Sequence, residues 1–193
     1  MVEKSVTVGG QLSEGFRRAR NLSRILAFVL GLGFWLTAVL GIVVVAGIIF
    51  GELIWPIFWP LSDRAMLSYN NSPEVQISSL SLAARLGVVA AVLLRFGPSA
   101  VALRFGHRVF RHFARGEVFS SDTIANMRAV SLWTVGVAFT TSVDQFIFNV
   151  STGLGPHGLS PNLGLLFFGL CTYIAAYVMS EARRIADDNA SIV

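Results

Sequence analysis

ILAFVLGLGFWLTAVLGIVVVAGIIF, residues Ile25 to Phe50, runs for 26 residues without a charged side chain. As a helix rising ~1.5 Å per residue it is ~39 Å long, against a bilayer hydrocarbon core of ~30 Å. The stretch therefore crosses a membrane with some tilt. A cleavable signal sequence has an apolar core of only ~7 to 15 residues followed by a small-x-small cleavage site, so this run is expected to be a retained helix.

The rest of the chain agrees with that reading. Of 193 residues, 54% are hydrophobic and 13% are charged, where soluble domains carry about 25% charged residues. So few charges cannot solvate the surface of so apolar a globule, which excludes a soluble enzyme and a disordered chain. One cysteine, Cys171, excludes an intramolecular disulfide and any multi-cysteine metal site.

Three more stretches have spanning character. Leu82 to Leu103 is apolar but carries Arg85, Arg95 and the pair Gly97-Pro98. Proline can kink a membrane helix without ending it when neighbours satisfy the freed carbonyls. The alternative is a span over Gln76 to Phe96, a turn at Gly97-Pro98, and Ser99 to Arg115 lying in the interface. Ala129 to Val150 contains Asp144, and Leu163 to Ser180 is uncharged and follows the breaker-rich segment Gly153 to Pro161.

Orientation follows from where Lys and Arg fall. The N-terminal tail has five (Lys4, Arg17, Arg18, Arg20, Arg24), the second connection five (Arg104, Arg108, Arg111, Arg115, Arg128) and the C-terminal tail two (Arg183, Arg184). The first connection has only Arg64, and the third has none. Both termini are therefore expected on the cytoplasmic side. Trp55, Phe58 and Trp59 fit an aromatic belt at the outer interface.

The expected fold is an all-α integral membrane protein with four transmembrane helices and a cytoplasmic basic amphipathic helical connection. Its parts are a basic tail 1–24, helix 25–50, outer loop 51–81, helix 82–103, basic connection 104–128, helix 129–150, outer loop 151–162, helix 163–180 and cytoplasmic tail 181–193. Met1 to Gln11 reads as a flexible lead, and Gly15 to Arg24 can continue the first helix with its arginines at anionic headgroups.

Within the connection, Arg104, Arg108, Arg111 and Arg115 recur at helical spacing. At about 100° per residue they form one stripe, with Phe105, Val109, Phe110 and Phe113 on the opposite arc and Gly116 as the stop. Such a helix either lies on or extends into the membrane with a structural role only, or offers a docking face to an acidic or nucleotide-bearing partner. Direct reading of nucleic acid is not expected, because the anionic inner leaflet is within reach of the stripe. Ser120 or Ser121 is a candidate N-cap for the next helix, with Asp122 in its first turn.

Inside the membrane, Arg85, Arg95 and Asp144 are the charged residues of the spans. A lone charge at the bilayer centre costs ~2.5 to 3.5 kcal/mol, so Asp144 is expected to pair with Arg85 or Arg95 and fix helix packing. An ion-handling site is a second reading, and a water-filled vestibule beside Asp144 with no specific role is a third. Gly47 and Gly51 form a GxxxG, and Gly33, Thr37 and Gly41 repeat at four. That spacing lets helices approach closely, within the chain or in a homodimer or larger membrane complex.

Catalytic and metal motifs are missing. His107 and His112 do not share a face, and His157 is remote from both. No HExxH, phosphate loop, GxSxG or heptad array is present, so no enzyme activity and no cofactor is expected. Four Asn-x-Ser triplets, beginning at Asn21, Asn70, Asn149 and Asn189, occur at the frequency of chance matches.

The run Ala114-Arg-Gly-Glu-Val-Phe119-Ser120, followed by Asn126-Met127-Arg128, resembles the bacterial four-helix membrane family catalogued as domain of unknown function 2975. That family has a Gly-Glu-aliphatic-Phe-Ser/Thr turn between its second and third spans and a Glu-Glu-Asn-rich cytoplasmic tail ending in an aliphatic pair. Gly116, Glu117 and Phe119 match the turn. Glu181-Ala182, Asp187-Asp188-Asn189 and Ile192-Val193 resemble the tail, with aspartates for glutamates. Thr123 departs from the Asn common there. The resemblance covers most of the chain after about Leu80. It implies no activity. Because some members are encoded beside small helix-turn-helix regulators, it implies a non-enzymatic regulatory or interaction protein whose cytoplasmic face binds such a partner. A small transporter, or an accessory subunit of a membrane complex using the Asp/Arg charges, is the alternative.

Overall fold

The computed structural model describes residues 3–58, 66–67, 75–76, 80–155 and 161–190, with side chains described only at 15, 17–50, 80–155 and 161–190. Four helices follow in order: α1 (Glu3–Phe58), α2 (Leu82–Arg115), α3 (Ser121–Thr152) and α4 (Leu163–Ala190). Between α1 and α2, Met66–Leu67 and Val75–Gln76 form a two-stranded antiparallel ribbon, β1 and β2, with Met66 opposite Gln76. The all-helical architecture holds, with that two-residue ribbon as a local addition to the first connection. Trp59, Asn70, His157, Ile192 and Val193 lie outside the described residues, as do the side chains of Trp55 and Phe58.

Among the described residues, three stretches are long and apolar enough to cross a membrane: Arg17–Phe50, Leu82–Arg115 and Leu163–Ala190. Helix α3 is more polar. Its polar residues point inward: Thr123, Ser131, Thr134, Ser142, Asp144 and Asn149 are buried. Helices pack in chain order, α1 on α2, α2 on α3 and α3 on α4, while α1 and α4 form the two edges of an open row. A central helix can be polar because its neighbours cover it, whereas the edge helices expose Phe28, Trp35, Phe167 and Tyr177, as lipid-facing helices do.

Two sequence expectations change. The helix α1 starts at Glu3, so the stretch read as a flexible lead is helical, and the only non-helical backbone within α1 is the kink at Phe50 (φ −108°, ψ 19°), where the uncharged run ends. Helix α2 runs unbroken through Pro98 to Arg115, so residues 99–115 extend the second helix and do not lie separately in the interface. Pro98 has no N–H for the Leu94 carbonyl, and next to it the Ser99 hydroxyl donates to the Arg95 carbonyl at 2.8 Å. The basic connection 104–128 is thereby reduced to a five-residue turn, Gly116 to Ser120, between two helix ends.

That turn has the local chemistry its sequence asks for. Gly116 adopts φ 86°, and its N–H donates to the carbonyls of His112 and Phe113, a left-handed helix stop that a residue with a Cβ enters at a cost. Ser120, not Ser121, is the N-cap of α3, its hydroxyl accepting from the Thr123 N–H at 3.1 Å. At the other end Gly153 (φ 76°) stops α3.

Small residues set the close approaches. A Cβ at Gly41 would lie 3.2 Å from Phe96 Cβ, and one at Gly33 would meet Leu103 at 3.8 Å. The α1 glycines thus pack within the chain, against α2. Gly47 is buried, and the surroundings of Gly51 lie outside the described residues. On α2, a Cβ at Gly87 would collide with the Ser151 hydroxyl, and on α4 one at Gly169 would lie 3.2 Å from the Ser131 carbonyl oxygen. Ser131 also donates to the Gly169 carbonyl at 2.8 Å.

Helix α4 begins beside the middle of α3. The Asn162 N–H donates to the Ala138 carbonyl at 3.1 Å, and Ala138 lies 14 residues before Thr152, ~21 Å of helix rise. The expected outer loop 151–162 therefore does more than turn, since its last residue returns to mid-height on α3.

Candidate functional site

Two groups of charged residues stand on α2 at different heights. The first is the buried pair. Arg95 Nη1 lies 3.5 Å from Asp144 Oδ2, with Asp144 fully buried and 34% of the Arg95 side chain exposed. Near it, the apolar cluster Ile48, Val88, Ala91, Val92 and Phe148 joins α1, α2 and α3. Arg85 Nε donates to the Leu80 carbonyl at 3.2 Å, holding the chain that leads into α2. Beside Asp144, the Ser142 hydroxyl is buried without a hydrogen-bond partner.

The second group is the basic end of α2. The four arginines of the stripe divide between two neighbours. Arg104 stacks over Phe34 of α1 at 5.9 Å, and Arg108 over Phe105 of its own helix at 5.4 Å, contacts that suit a guanidinium on an aromatic face. Arg108, Arg111 and Arg115, with His112, line a pocket of about 480 Å³ whose far wall is Asp122, Ala125 and Asn126 of α3. No described acid is within ion-pair distance of Arg108, Arg111 or Arg115. On the opposite arc Val109 is buried and Phe110 meets Phe113 edge to face at 5.8 Å.

Glu117 in the turn accepts from His112 Nδ1 at 2.7 Å, and Phe119 stands exposed. In the tail, Asp187 pairs with Arg183 at 3.5 Å and Glu181 with Arg184 at 2.6 Å, all on α4. Asp188 and Asn189 are exposed there. Arg128 Nη2 donates to Ser180 Oγ at 3.2 Å, joining α3 to α4.

Two histidine contacts were not readable from spacing. His107 Nδ1 donates to the Ala27 carbonyl at 2.7 Å. Because a carbonyl only accepts, that nitrogen carries the proton. A Cβ at Gly31 would lie 2.9 Å from the same ring nitrogen, so the absent side chain lets His107 reach across. Arg20 Nε of α1 donates to the Ala114 carbonyl at 3.2 Å, at the end of α2, where helix carbonyls lack partners. His112 and Glu117 meet because Gly116 turns the chain between them. Among the described residues, no three His, Cys, Asp or Glu side chains are grouped as a metal site would need.

No family model matches the chain, and no curated protein and no solved structure does.

Proposed function

We propose that this is a non-enzymatic inner-membrane protein of a bacterium, whose four helices all cross the bilayer and whose α2–α3 end is a cytoplasmic face that binds a protein partner. The observation that carries the reading is the pocket-lining trio Arg108, Arg111 and Arg115, for which no described acid serves as an ion-pair partner. Arginine presents forked donors suited to carboxylates and phosphates. The fourth crossing is supported by packing: α3 runs beside α2 from the Gly116 turn to the Gly87–Ser151 approach. A helix paired along the length of a crossing helix crosses with it, and its polar residues are tolerated where they face protein. The Lys/Arg bias supports cytoplasmic termini.

The resemblance to domain of unknown function 2975, through Gly116, Glu117, Phe119 and the tail, supports a partner such as a small helix-turn-helix regulator. The open edges of α1 and α4 leave room for a homodimer or a larger membrane complex.

A second reading, a small transporter or accessory subunit using Arg95 and Asp144, is favoured by one observation: the chain after α3 returns to the level of Ala138 before α4 starts. Non-helical backbone at membrane depth often lines a cavity in transporters.

Affinity purification of the full chain in mild detergent, with the co-purifying proteins identified, separates the two. The first reading expects a soluble regulator that is lost with Arg108→Gln plus Arg111→Gln. Recovery of a permease or efflux component, retained by that variant, supports the second and overturns the first.

A further inference from the structure

The pocket between the end of α2 and the start of α3 has a definable depth. His107 reaches the Ala27 carbonyl and Arg20 reaches the Ala114 carbonyl, so Arg108 to Arg115 stand level with Arg20 to about Ala27 of α1. At that level the uncharged run of α1, which starts at Ile25, gives way to Arg24, Arg20, Arg18 and Arg17. The hydrocarbon region ends where such a run ends, and the headgroup layer occupies the next ~5 to 7 Å on each side. The mouth of the pocket is thus at the height of lipid phosphates.

Its chemistry fits a phosphate as well. Three arginines and one carboxylate, Asp122, line it, and His112 is engaged by Glu117, so cations outnumber acids there before any ligand enters. Asn126 donates one N–H to the Asp122 carbonyl at 2.7 Å and keeps a second amide N–H. The volume of about 480 Å³ exceeds what a phosphate alone needs and falls within the ~300 to 1,000 Å³ of small-molecule sites. Basic pockets between transmembrane helices near the membrane surface have the character that holds anionic lipid headgroups.

We propose that this pocket binds a phosphate group at the membrane surface, held by the forked donors of Arg108, Arg111 and Arg115 between α2 and α3. Depth makes an anionic phospholipid the natural source, and a soluble phosphate offers the same chemistry. The site goes beyond partner binding and does not depend on which side of the membrane the turn faces.

Native mass spectrometry of the purified full chain, titrated in detergent with phosphatidylglycerol and separately with phosphatidylcholine, reads the bound lipid directly. The wild type is expected to retain phosphatidylglycerol in preference to phosphatidylcholine. Arg111→Gln plus Arg115→Gln should lower that retention at least about 10-fold, the size of losing a charge-assisted hydrogen bond. Ala125→Asp leaves every arginine in place and adds an acid near the start of α3, where helices accept one, and it should have the same effect. Arg183→Gln, which removes one positive charge from α4 outside the pocket, should leave retention unchanged. If millimolar inorganic phosphate displaces the lipid, or binds the wild type and not the two pocket variants, the site stands with a soluble phosphate as its source. The proposal is overturned if the pocket variants retain both probes as the wild type does, or if Arg183→Gln lowers retention as much as they do, since diffuse charge then explains the binding.

Discussion

Helix α2 carries arginines in two settings. Arg95 is committed to a buried aspartate, while Arg108, Arg111 and Arg115, about four to six turns further on, line an open pocket with no described acid at ion-pair distance. The first setting fixes how α2 and α3 pack. The second leaves donors free for something outside the chain. Position along the helix, and not residue type, separates an arginine paired inside the fold from arginines with no described acid beside them.

The largest effect is expected where the comparison is most unequal. Arg95→Ala removes the guanidinium 3.5 Å from the fully buried Asp144 and should cost about 3 to 5 kcal/mol in detergent, the range for breaking a buried pair. Asp144→Ala should cost less, because Arg95 is one-third exposed and can extend toward polar surroundings. The double variant should be more stable than Arg95→Ala alone. A double variant no more stable than Arg95→Ala would mean that the pair does not act as a clamp.

Next in size are the close approaches. Gly169→Ala places a methyl against the Ser131 carbonyl and the Val135 backbone, where little can move, and should destabilise by about 1 to 3 kcal/mol. Gly31→Ala meets only the His107 ring, which can swing away at the cost of its hydrogen bond to Ala27, about 1 kcal/mol. Thermal melts of the two variants beside the wild type check the order.

The smallest effect on the fold is expected from the exposed pocket arginines, of which Arg108 has a ring contact with Phe105. Arg108→Lys plus Arg111→Lys should leave the melting transition in place, since exposed charges with no acid at ion-pair distance contribute little and lysine keeps a cation beside Phe105, and should still weaken partner capture because lysine lacks the fork. Full capture by the Lys variant with loss in the Gln variant would reduce the interaction to charge attraction. Wild-type capture by both would make the stripe a structural element.

How much of this was legible in the sequence depended on the range of the contact. The uncharged run, the Gly116 stop, a serine cap at Ser120 or Ser121 and the lone acid of the apolar run 129–150 are local signals, and each leads to its element. Whether Asp144 meets Arg85 or Arg95 was open, because register between two helices is set by packing such as Gly87 on Ser151. The continuity of α2 through Pro98 was open for the same reason, as neighbouring contacts decide it. His107 on Ala27, and the return of Asn162 to Ala138, leave no trace in spacing, since one partner in each is a backbone carbonyl. The pocket was half legible. Its arginines recur at helical intervals, but Asp122 and Asn126, which form the facing wall, looked like the ordinary start of a helix.

The claim on which both settings depend is that α2 and α3 cross the bilayer together, placing the Arg95–Asp144 pair at membrane depth, and the proposed partner binding adds that the Gly116 turn lies in the cytoplasm. Single cysteines at Phe119, Thr152 and Asn189 in a Cys171→Ser background, probed with a membrane-impermeant thiol reagent on intact cells, test it most directly. The account predicts that position 152 is labelled from outside, and that positions 119 and 189 are labelled only after permeabilisation. Labelling of position 119 on intact cells, or of position 152 only after permeabilisation, would contradict it.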